Sequence, residues 1–215
     1  MGDISGKSAC VLGSGNNLVS FTLAGLGAKV SSVDISEKQL DIAAKRAEEL
    51  KLDIKFIHAD VTDLSMIPDE SFEIVYTGGH VAVWVSDLEK FYKEASRILK
   101  PDGIFMVNEY HPFRRIWKKL PDRLEIESGY FERGPYSVDL SAEIPDAKVG
   151  SLPTCVFHWT FSDYVMAMIN AGCELKVLEE MGDQLHAWEW EMASIRRLPE
   201  CLLMVGRKRY GYRSK

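Results

Sequence analysis

The feature that most constrains the fold is a regular alternation of short apolar runs with amphipathic segments over the first half of the chain. The apolar runs predict buried strands over residues 8–12, 28–33, 53–58, 72–76 and 104–108. Between them, the spacing of apolar residues predicts helices over 17–26, 36–50 and 87–99. Strands that alternate with helices in this way form βαβ units, so the sequence predicts a mainly parallel sheet.

After residue 110 the regular pattern stops. Residues 110–157 show no clear periodicity, and their aromatic side chains argue against disorder. A helix is then predicted over 162–171, followed by strands over 174–179 and 201–205. The stretch 188–197 is the only candidate helix between these two strands, which favours an antiparallel final pair. The sequence therefore predicts a single α/β domain over residues 1–215, with a mostly parallel seven-stranded sheet and an antiparallel last strand.

Two glycines follow the first predicted strand. They are Gly13 and Gly15, and Asp34 ends the second strand 21 residues after Gly13. Glycines at this place let backbone amides at a helix N-terminus approach a ligand, and an acidic residue about 20 positions further on can accept ribose hydroxyls. The same three residues would also occur if the glycines only formed a turn and Asp34 lay on the surface without binding a ligand. The strand–loop–helix context favours a nucleotide-type cofactor.

Such a site could hold a nicotinamide dinucleotide or S-adenosylmethionine. Leu18 stands where a dinucleotide site needs a third small residue for close packing of the helix on the strand. Asp60 follows the third strand, where its carboxylate can accept a hydrogen bond from an adenine amino group. The backbone of residues 76–80, at the end of the fourth strand, can line the methionine end. These details favour S-adenosylmethionine.

At these residues the chain resembles the class I S-adenosylmethionine-dependent methyltransferases, especially the small-molecule type of ubiquinone and menaquinone biosynthesis. The matching stretches are 11–36, 58–62, 72–79 and 98–105, and 174–180 and 202–208 look like the closing strands of that family. The resemblance implies a Rossmann-like three-layer sandwich with S-adenosylmethionine as its cofactor. It also implies a set of cofactor-binding residues on the glycine loop and after the next three strands: Gly13, Ser14, Gly15, Asn17, Asp34, Ile35, Ala59, Asp60, Val61 and Gly78.

Within this set, the resemblance assigns the glycines to the amino-acid end of the cofactor, Asp34 to the ribose and Asp60 to the adenine. Two positions depart from the family pattern. Val11 stands where the family usually has an acidic residue that helps to hold the methionine ammonium, and Asn17 replaces the usual third glycine. Both departures concern the methionine end of the site.

The methyl acceptor is expected beyond the carboxyl ends of the fourth and fifth strands, under a lid formed by residues 110–157. Methyl transfer from a sulfonium is an in-line displacement, in which positioning lowers the barrier and a general base is needed only when the nucleophile must lose a proton. The candidate bases are His111, His80 and His158, with His111 preferred because it directly follows the fifth strand; each could instead have a structural role. The candidate acceptor-binding residues are Trp84, Tyr110, Phe113, Arg114 and Tyr136.

Composition narrows the possible partners. The formal net charge of -6 and the pI of about 5.5 argue against a nucleic-acid-binding protein and favour a small-molecule acceptor. The sequence has no apolar stretch of membrane-spanning length and no secretory signal, and its four cysteines are scattered. We therefore expect a cytoplasmic protein that needs neither a membrane nor a metal.

Two other function classes stay open at this point. A non-catalytic S-adenosylmethionine-binding protein is consistent with the lost acidic residue at Val11. A nicotinamide-dependent oxidoreductase would share the strand–loop–helix pattern, but Leu18 and the closing strands disfavour it.

Overall fold

The protein is described by a computed structural model, which defines residues 2–118, 125–143, 151–182 and 198–210. The helix predicted over 188–197 lies outside these residues. The strands are β1 (Ser8–Leu12), β2 (Lys29–Asp34), β3 (Ile54–His58), β4 (Phe72–Gly78), β5 (Leu99–Tyr110), β6 (Tyr136–Asp139), β7 (Pro153–Val156), β8 (Cys173–Met181) and β9 (Cys201–Lys208). The helices are α1 (Leu18–Gly25), α2 (Glu37–Glu49), α3 (Leu88–Ile98) and α4 (Phe161–Asn170).

The main sheet has seven strands in the order β3-β2-β1-β4-β5-β9-β8. The pairs among β1 to β5 are all parallel, and β9 is antiparallel to both β5 and β8. The predicted fold class, with its antiparallel last strand, is confirmed. Strands β6 and β7 form a separate antiparallel hairpin within residues 110–157, which the sequence did not predict.

Both faces of the sheet are packed, because successive residues of a strand point to opposite sides. In β1, Ala9 and Val11 belong to a cluster that includes Leu23 of α1 and Ala47 of α2. Cys10 and Leu12 point the other way, into the larger cluster formed with α3 and α4. The helices therefore lie in two layers on either side of the sheet, which makes the three-layer sandwich.

Short capping side chains determine where three of the helices begin. Ser36, Asp87 and Thr160 each accept a hydrogen bond from the backbone N–H three residues further on. Such caps satisfy an N–H that has no partner within its own helix and stabilise the helix by about 1 kcal/mol. The cap at Ser36 confirms the sequence-predicted start of α2.

Strand β5 is longer than predicted, because it begins at Leu99 and not at residue 104. Its register with β4 passes from Phe72↔Leu99 to Ile74↔Ile104, so the intervening residues form an irregularity, where Asp102 has a φ of 61°. Downstream of this irregularity, β5 runs regularly to Tyr110, at the same edge of the sheet where β1 to β4 end.

Candidate active site

The glycine loop follows β1 and has three left-handed residues at alternate positions. The φ angles of Gly13, Gly15 and Asn17 are 64°, 48° and 63°. Asn17 is fully buried, its Nδ2 donates to the Gly15 carbonyl at 2.9 Å, and its Oδ1 accepts from the Ser32 hydroxyl. Asparagine tolerates this backbone region better than most residues. Asn17 therefore supports the loop from its buried side, at the position where the family that the sequence resembles has a third glycine, and it lines neither of the pockets described below.

Asp34, at the end of β2, connects the glycine loop to the next helix. Its Oδ2 accepts from the Gly15 amide at 2.7 Å, and its Oδ1 accepts from the Ser36 amide at 2.9 Å. Each carboxylate oxygen can accept a further hydrogen bond, so both retain capacity for a ligand. The carboxylate thus fixes the loop and remains an acceptor on the pocket.

The first pocket, of about 620 Å³, lies over the carboxyl ends of β1 to β4. Eight residues predicted from the sequence line it: Gly13, Gly15, Asp34, Ile35, Asp60, Val61, His80 and Trp84. Asp60 uses its Oδ1 to accept from the amide and hydroxyl of Thr62 at 2.7 and 2.9 Å. This local turn fixes the carboxylate at the wall of the pocket. Ala59, also predicted, packs on the core and does not line this pocket.

A second pocket, of about 500 Å³, lies on the other side of the glycine loop. It shares Gly13, Gly15 and Gly79 with the first. The predicted residues Ser14, Gly78 and Tyr110 line it, together with Val11, Tyr76 and Asn108. The two pockets therefore meet along the glycine loop, and a molecule in either would contact the same backbone.

Residues 79–82 directly follow β4 and form one wall of the first pocket. Glu109, 1% exposed, accepts from the amides of His80 at 3.0 Å and Ala82 at 3.2 Å. The wall also packs against the glycine loop, because a Cβ on Gly13 would lie 2.5 Å from a methyl group of Val81. Burial raises the pKa of Glu109, while the amides that it accepts from lower it. Glu109 is thus the buried anchor of this wall.

In the sequence, Glu109 stands after the fifth strand among the residues expected at the acceptor pocket, but its contact with the backbone of residues 80–82 is not predictable there. A lone glutamate at a strand end has no local signal, because its hydrogen-bond partners are 27 and 29 residues away in the chain. The indole N–H of Trp159 and the amide of Phe157 also bind this region, donating to the carbonyls of Ala82 and Val83 at 3.0 and 2.8 Å. Residues 79–83 are therefore fixed by contacts that only the tertiary fold creates.

The preferred base, His111, has a different place from the one expected. It is 4% exposed and lines neither pocket. Its Nδ1 accepts from the Phe113 amide at 3.1 Å, and its Nε2 lies 2.9 Å from a carboxylate oxygen of Glu180. Burial lowers the pKa of His111, while Glu180 raises it. Since the lone pair that a base needs is already used by a backbone amide, the geometry favours the structural role for His111 over that of a base.

The other predicted acceptor residues divide into two groups. His80 lies on the first pocket with its ring 4.2 Å from that of Tyr110, on the second. The remaining predicted residues line neither pocket and pack against neighbours within 110–161: Phe113, Arg114, Tyr136 and His158. His158 stacks on Tyr136 at 4.5 Å, and burial lowers its pKa. Because these four residues line neither pocket, the structure gives no support for a direct contact between them and an acceptor bound there.

The segment after β5 nevertheless reaches the cofactor side. Leu140, just after β6, and Thr154, in β7, line the first pocket opposite the glycine loop. The hairpin contributes this cover through residues that the sequence did not single out. Among the described residues, no cluster of three His, Cys, Asp or Glu side chains could hold a metal ion.

The fold and the two pockets define a Rossmann-like protein that can hold a nucleotide-type cofactor at its glycine loop. A family described as "Methyltransferase domain" matches residues 11–107. An uncharacterized methyltransferase of Bacillus subtilis, YbaJ, is 35% identical over 79% of this chain and 66% of its own length. The ubiquinone biosynthesis O-methyltransferase of Pelagibacter ubique is 31% identical over 45% of this chain and 39% of its own.

Solved structures agree on the fold. An S-adenosylmethionine-dependent methyltransferase from Mesorhizobium loti superimposes with a TM-score of 0.75, at 22% identity, over 97% of this chain and 94% of its own. The chain belongs to the class I S-adenosylmethionine-dependent methyltransferase family. It spans less than two thirds of the length of the two curated relatives named above.

The residues present fit S-adenosylmethionine, the cofactor of this family. A Cβ on Gly15 or Gly79 would meet nothing within 4 Å, so the loop backbone is open on its pocket side. The carboxylates of Asp34 and Asp60 line the first pocket, as acceptors for ribose hydroxyls and an adenine amino group. The buried Ser14 hydroxyl lines the second pocket and has no hydrogen-bond partner among the described residues. This hydroxyl can therefore hydrogen-bond to a bound ligand or to water in the pocket.

Proposed function

We propose that the protein is an S-adenosylmethionine-dependent methyltransferase acting on a small molecule. The observation that carries the proposal is the first pocket, where two carboxylates and an open glycine loop converge at the carboxyl edge of the sheet. This is the edge where ligands bind in sheets of this type. Asp34 would bind the ribose hydroxyls, Asp60 the adenine amino group and the glycine loop the amino-acid end.

The chemistry requires alignment more than a particular catalytic side chain. Bound S-adenosylmethionine supplies an electrophilic methyl group on a sulfonium. The protein orients the cofactor and the acceptor and excludes water. Such positioning can lower the barrier by up to about 7–11 kcal/mol in favourable cases. Trp84, Leu140 and Thr154 cover the first pocket, and His80 and Tyr110 lie between the two pockets. These residues surround the place where the acceptor would meet the cofactor.

A small molecule is the proposed acceptor for two reasons. Relatives carry names that specify small-molecule methylation, namely ubiquinone and sterol methyltransferases. The net charge of -6 also disfavours an extended polyanion such as nucleic acid.

We further propose a cytoplasmic location, supported by the unpaired thiols of Cys10, Cys173 and Cys201, all buried. Among the described residues, no helix has the length and apolar character of a membrane span.

Titration calorimetry with S-adenosylmethionine, S-adenosylhomocysteine and NAD tests the cofactor proposal. We expect both adenosyl compounds to bind and NAD to give no heat of binding. Release of S-adenosylhomocysteine can then be measured with candidate acceptors, beginning with hydroxylated rings and sterols. Binding of NAD in preference to the adenosyl compounds would overturn the proposal. Tight binding without turnover on any acceptor would instead favour a non-catalytic binding protein, which the valine at position 11 keeps open.

A further inference from the structure

The valine at position 11 has an informative neighbour on the next strand. Val11 of β1 pairs in register with Tyr76 of β4. Both side chains line the second pocket, beside the glycine loop. Val11 offers no polar group to a ligand there, whereas the adjacent Tyr76 offers a hydroxyl.

The Tyr76 hydroxyl lies close to the end of β4. It is 2.7 Å from the position that a Cβ on Gly78 would occupy, and the Asn108 carbonyl oxygen is 2.3 Å from the same position. The absence of a side chain at Gly78 therefore leaves room for the tyrosine to reach the pocket edge. Burial raises the pKa of Tyr76, while the side chain of Asn108, which lies beside the Tyr76 hydroxyl, lowers it. The pKa is raised overall, so the hydroxyl keeps its proton at neutral pH.

Ser14 and Asn108 are two further uncharged polar residues of the same pocket, whose lining also includes Glu109, with its carboxylate accepting from the amides of His80 and Ala82. Ser14 contributes a buried hydroxyl that has no hydrogen-bond partner within the described residues. Asn108, from β5, contributes an amide with both donor and acceptor atoms. Tyr76, Ser14 and Asn108 come from different strand ends, and their uncharged donor and acceptor atoms can hydrogen-bond to both a positive and a negative group of a ligand.

The arrangement of the two pockets indicates which part of the cofactor would lie there. Asp34 and Asp60, the residues assigned to ribose and adenine, line only the first pocket. The glycines shared by the two pockets lead from these carboxylates to Ser14 and Tyr76. An elongated ligand whose adenosine occupies the first pocket would therefore extend its amino-acid end across the glycine loop.

We propose that Tyr76, together with Ser14 and Asn108, binds the amino-acid end of the cofactor and replaces the acidic residue that position 11 lacks. This inference rests on the proposed function and adds a specificity-determining residue to it. The ammonium is then held by neutral oxygens, and the carboxylate by hydroxyl and amide donors. Recognition of the amino-acid group thereby depends on hydrogen bonds, without a direct ion pair to β1.

The test compares two ligands that differ only at this end. S-adenosylhomocysteine carries the amino-acid group, and 5′-methylthioadenosine lacks it. In Tyr76→Phe, which keeps the ring, we expect affinity for S-adenosylhomocysteine to fall roughly tenfold, the typical effect of losing a hydrogen bond to a charged group. Affinity for 5′-methylthioadenosine should not change. Tyr210→Phe, at an exposed tyrosine, is the matched control and should alter neither.

Ser14→Ala provides a second variant if the first fails to fold, and it should show the same ligand-selective loss. An equal loss for both ligands, or no loss for either, would overturn the assignment of Tyr76. A wild-type protein that binds neither ligand would instead contradict the proposed function. The two failures are thus distinguished by the wild-type measurement alone.

Discussion

The two halves of the carboxyl edge are built in different ways. On the adenosine side, after β1 to β3, several key polar groups are fixed by residues close in the chain: Asn17 by Gly15, Asp34 by Ser36, and Asp60 by Thr62, each two positions apart. On the acceptor side, after β4 and β5, the contacts that hold the backbone in place join residues far apart in the chain. Trp159 and Ala82, for example, are 77 residues apart.

This difference explains which side chains could be placed before the fold was known. Turns that close over two residues carry their own sequence signature, because Asp and Asn side chains bond to backbone two positions away. Contacts over tens of residues have no such signature. The adenosine side is therefore a local motif repeated at three strand ends, and the acceptor side is a product of tertiary packing.

The largest effect should come from Asp34→Ala, which removes the acceptor that is central to the adenosine side. Affinity for S-adenosylhomocysteine should fall by about 1.5–3 kcal/mol, the range for hydrogen bonds to a charged group. The Gly15 amide also loses its partner, so the loop itself is loosened. Calorimetry measures the change, with the exposed Asp41→Ala in α2 as the control. Unchanged affinity in Asp34→Ala would remove Asp34 from the ribose site.

On the acceptor side, the next largest effect should come from Glu109→Gln. The amide group would place a donor against the backbone amides of His80 or Ala82, which costs about 1–3 kcal/mol for a buried group left without its partner. We expect lower thermal stability, weaker binding of S-adenosylhomocysteine than in wild type, and faster hydrogen exchange at the amides of residues 80–82.

Glu73→Gln is the matched control for this change. Glu73 accepts from the Ser8 amide at 3.0 Å, at the opposite edge of the sheet from the pocket. Its substitution should lower stability slightly and leave ligand affinity intact. If Glu109→Gln bound S-adenosylhomocysteine as tightly as Glu73→Gln does, the wall at residues 79–82 would not need its carboxylate anchor.

Much of the fold followed from local periodicity. The strands that form the parallel sheet and the capped start of α2 were predictable, because strand and helix periods and the Ser36 cap are properties of a short window. The antiparallel final strand followed from a connection too short for a crossover. The β6–β7 hairpin did not, because its four-residue strands are defined by their pairing with each other.

The residues of the candidate site were also predictable only in part. Eight of the predicted residues line the first pocket, and three more line the second. His111 was the preferred base because its position directly after β5 suggested a side chain on the pocket. The fold instead directs its imidazole toward Glu180 of β8. Which way the side chain at a strand end points depends on the neighbouring strands, and a single sequence does not contain that information.

A smaller effect is expected for Asp60→Asn. Asparagine keeps the Oδ1 that accepts from the amide and hydroxyl of Thr62, so the turn should survive. Its Nδ2 takes the place of the second carboxylate oxygen, so the adenine amino group loses this one acceptor, whereas Asp34→Ala removes the acceptors for two ribose hydroxyls. The loss of affinity for S-adenosylhomocysteine should therefore be smaller than in Asp34→Ala, about 1 kcal/mol or less.

Asp63→Asn is the control, because Asp63 forms the same kind of turn with the Ser65 amide and lies outside the pocket lining. It should bind the ligand like wild type. A larger loss in Asp60→Asn than in Asp34→Ala would reverse the order of the two carboxylates and make Asp60 the dominant contact of the adenosine side.

The smallest effect on ligand binding is expected for His111→Gln, which tests whether this residue belongs to the acceptor site at all. Because burial lowers the pKa of His111, the folded protein binds fewer protons here than the unfolded chain. The stability that follows is present above the unfolded pKa, about 6.5, and is lost as the pH falls below it. Glutamine does not titrate, so urea unfolding should show a weaker decline between about pH 7 and 5 than in wild type. The variant should retain part of that decline, since burial lowers the pKa of His158 as well.

Affinity of the His111→Gln variant for S-adenosylhomocysteine should stay within about twofold of wild type, since a residue away from both pockets loses no ligand contact. An unaltered pH dependence combined with a large loss of turnover would return His111 to the acceptor site.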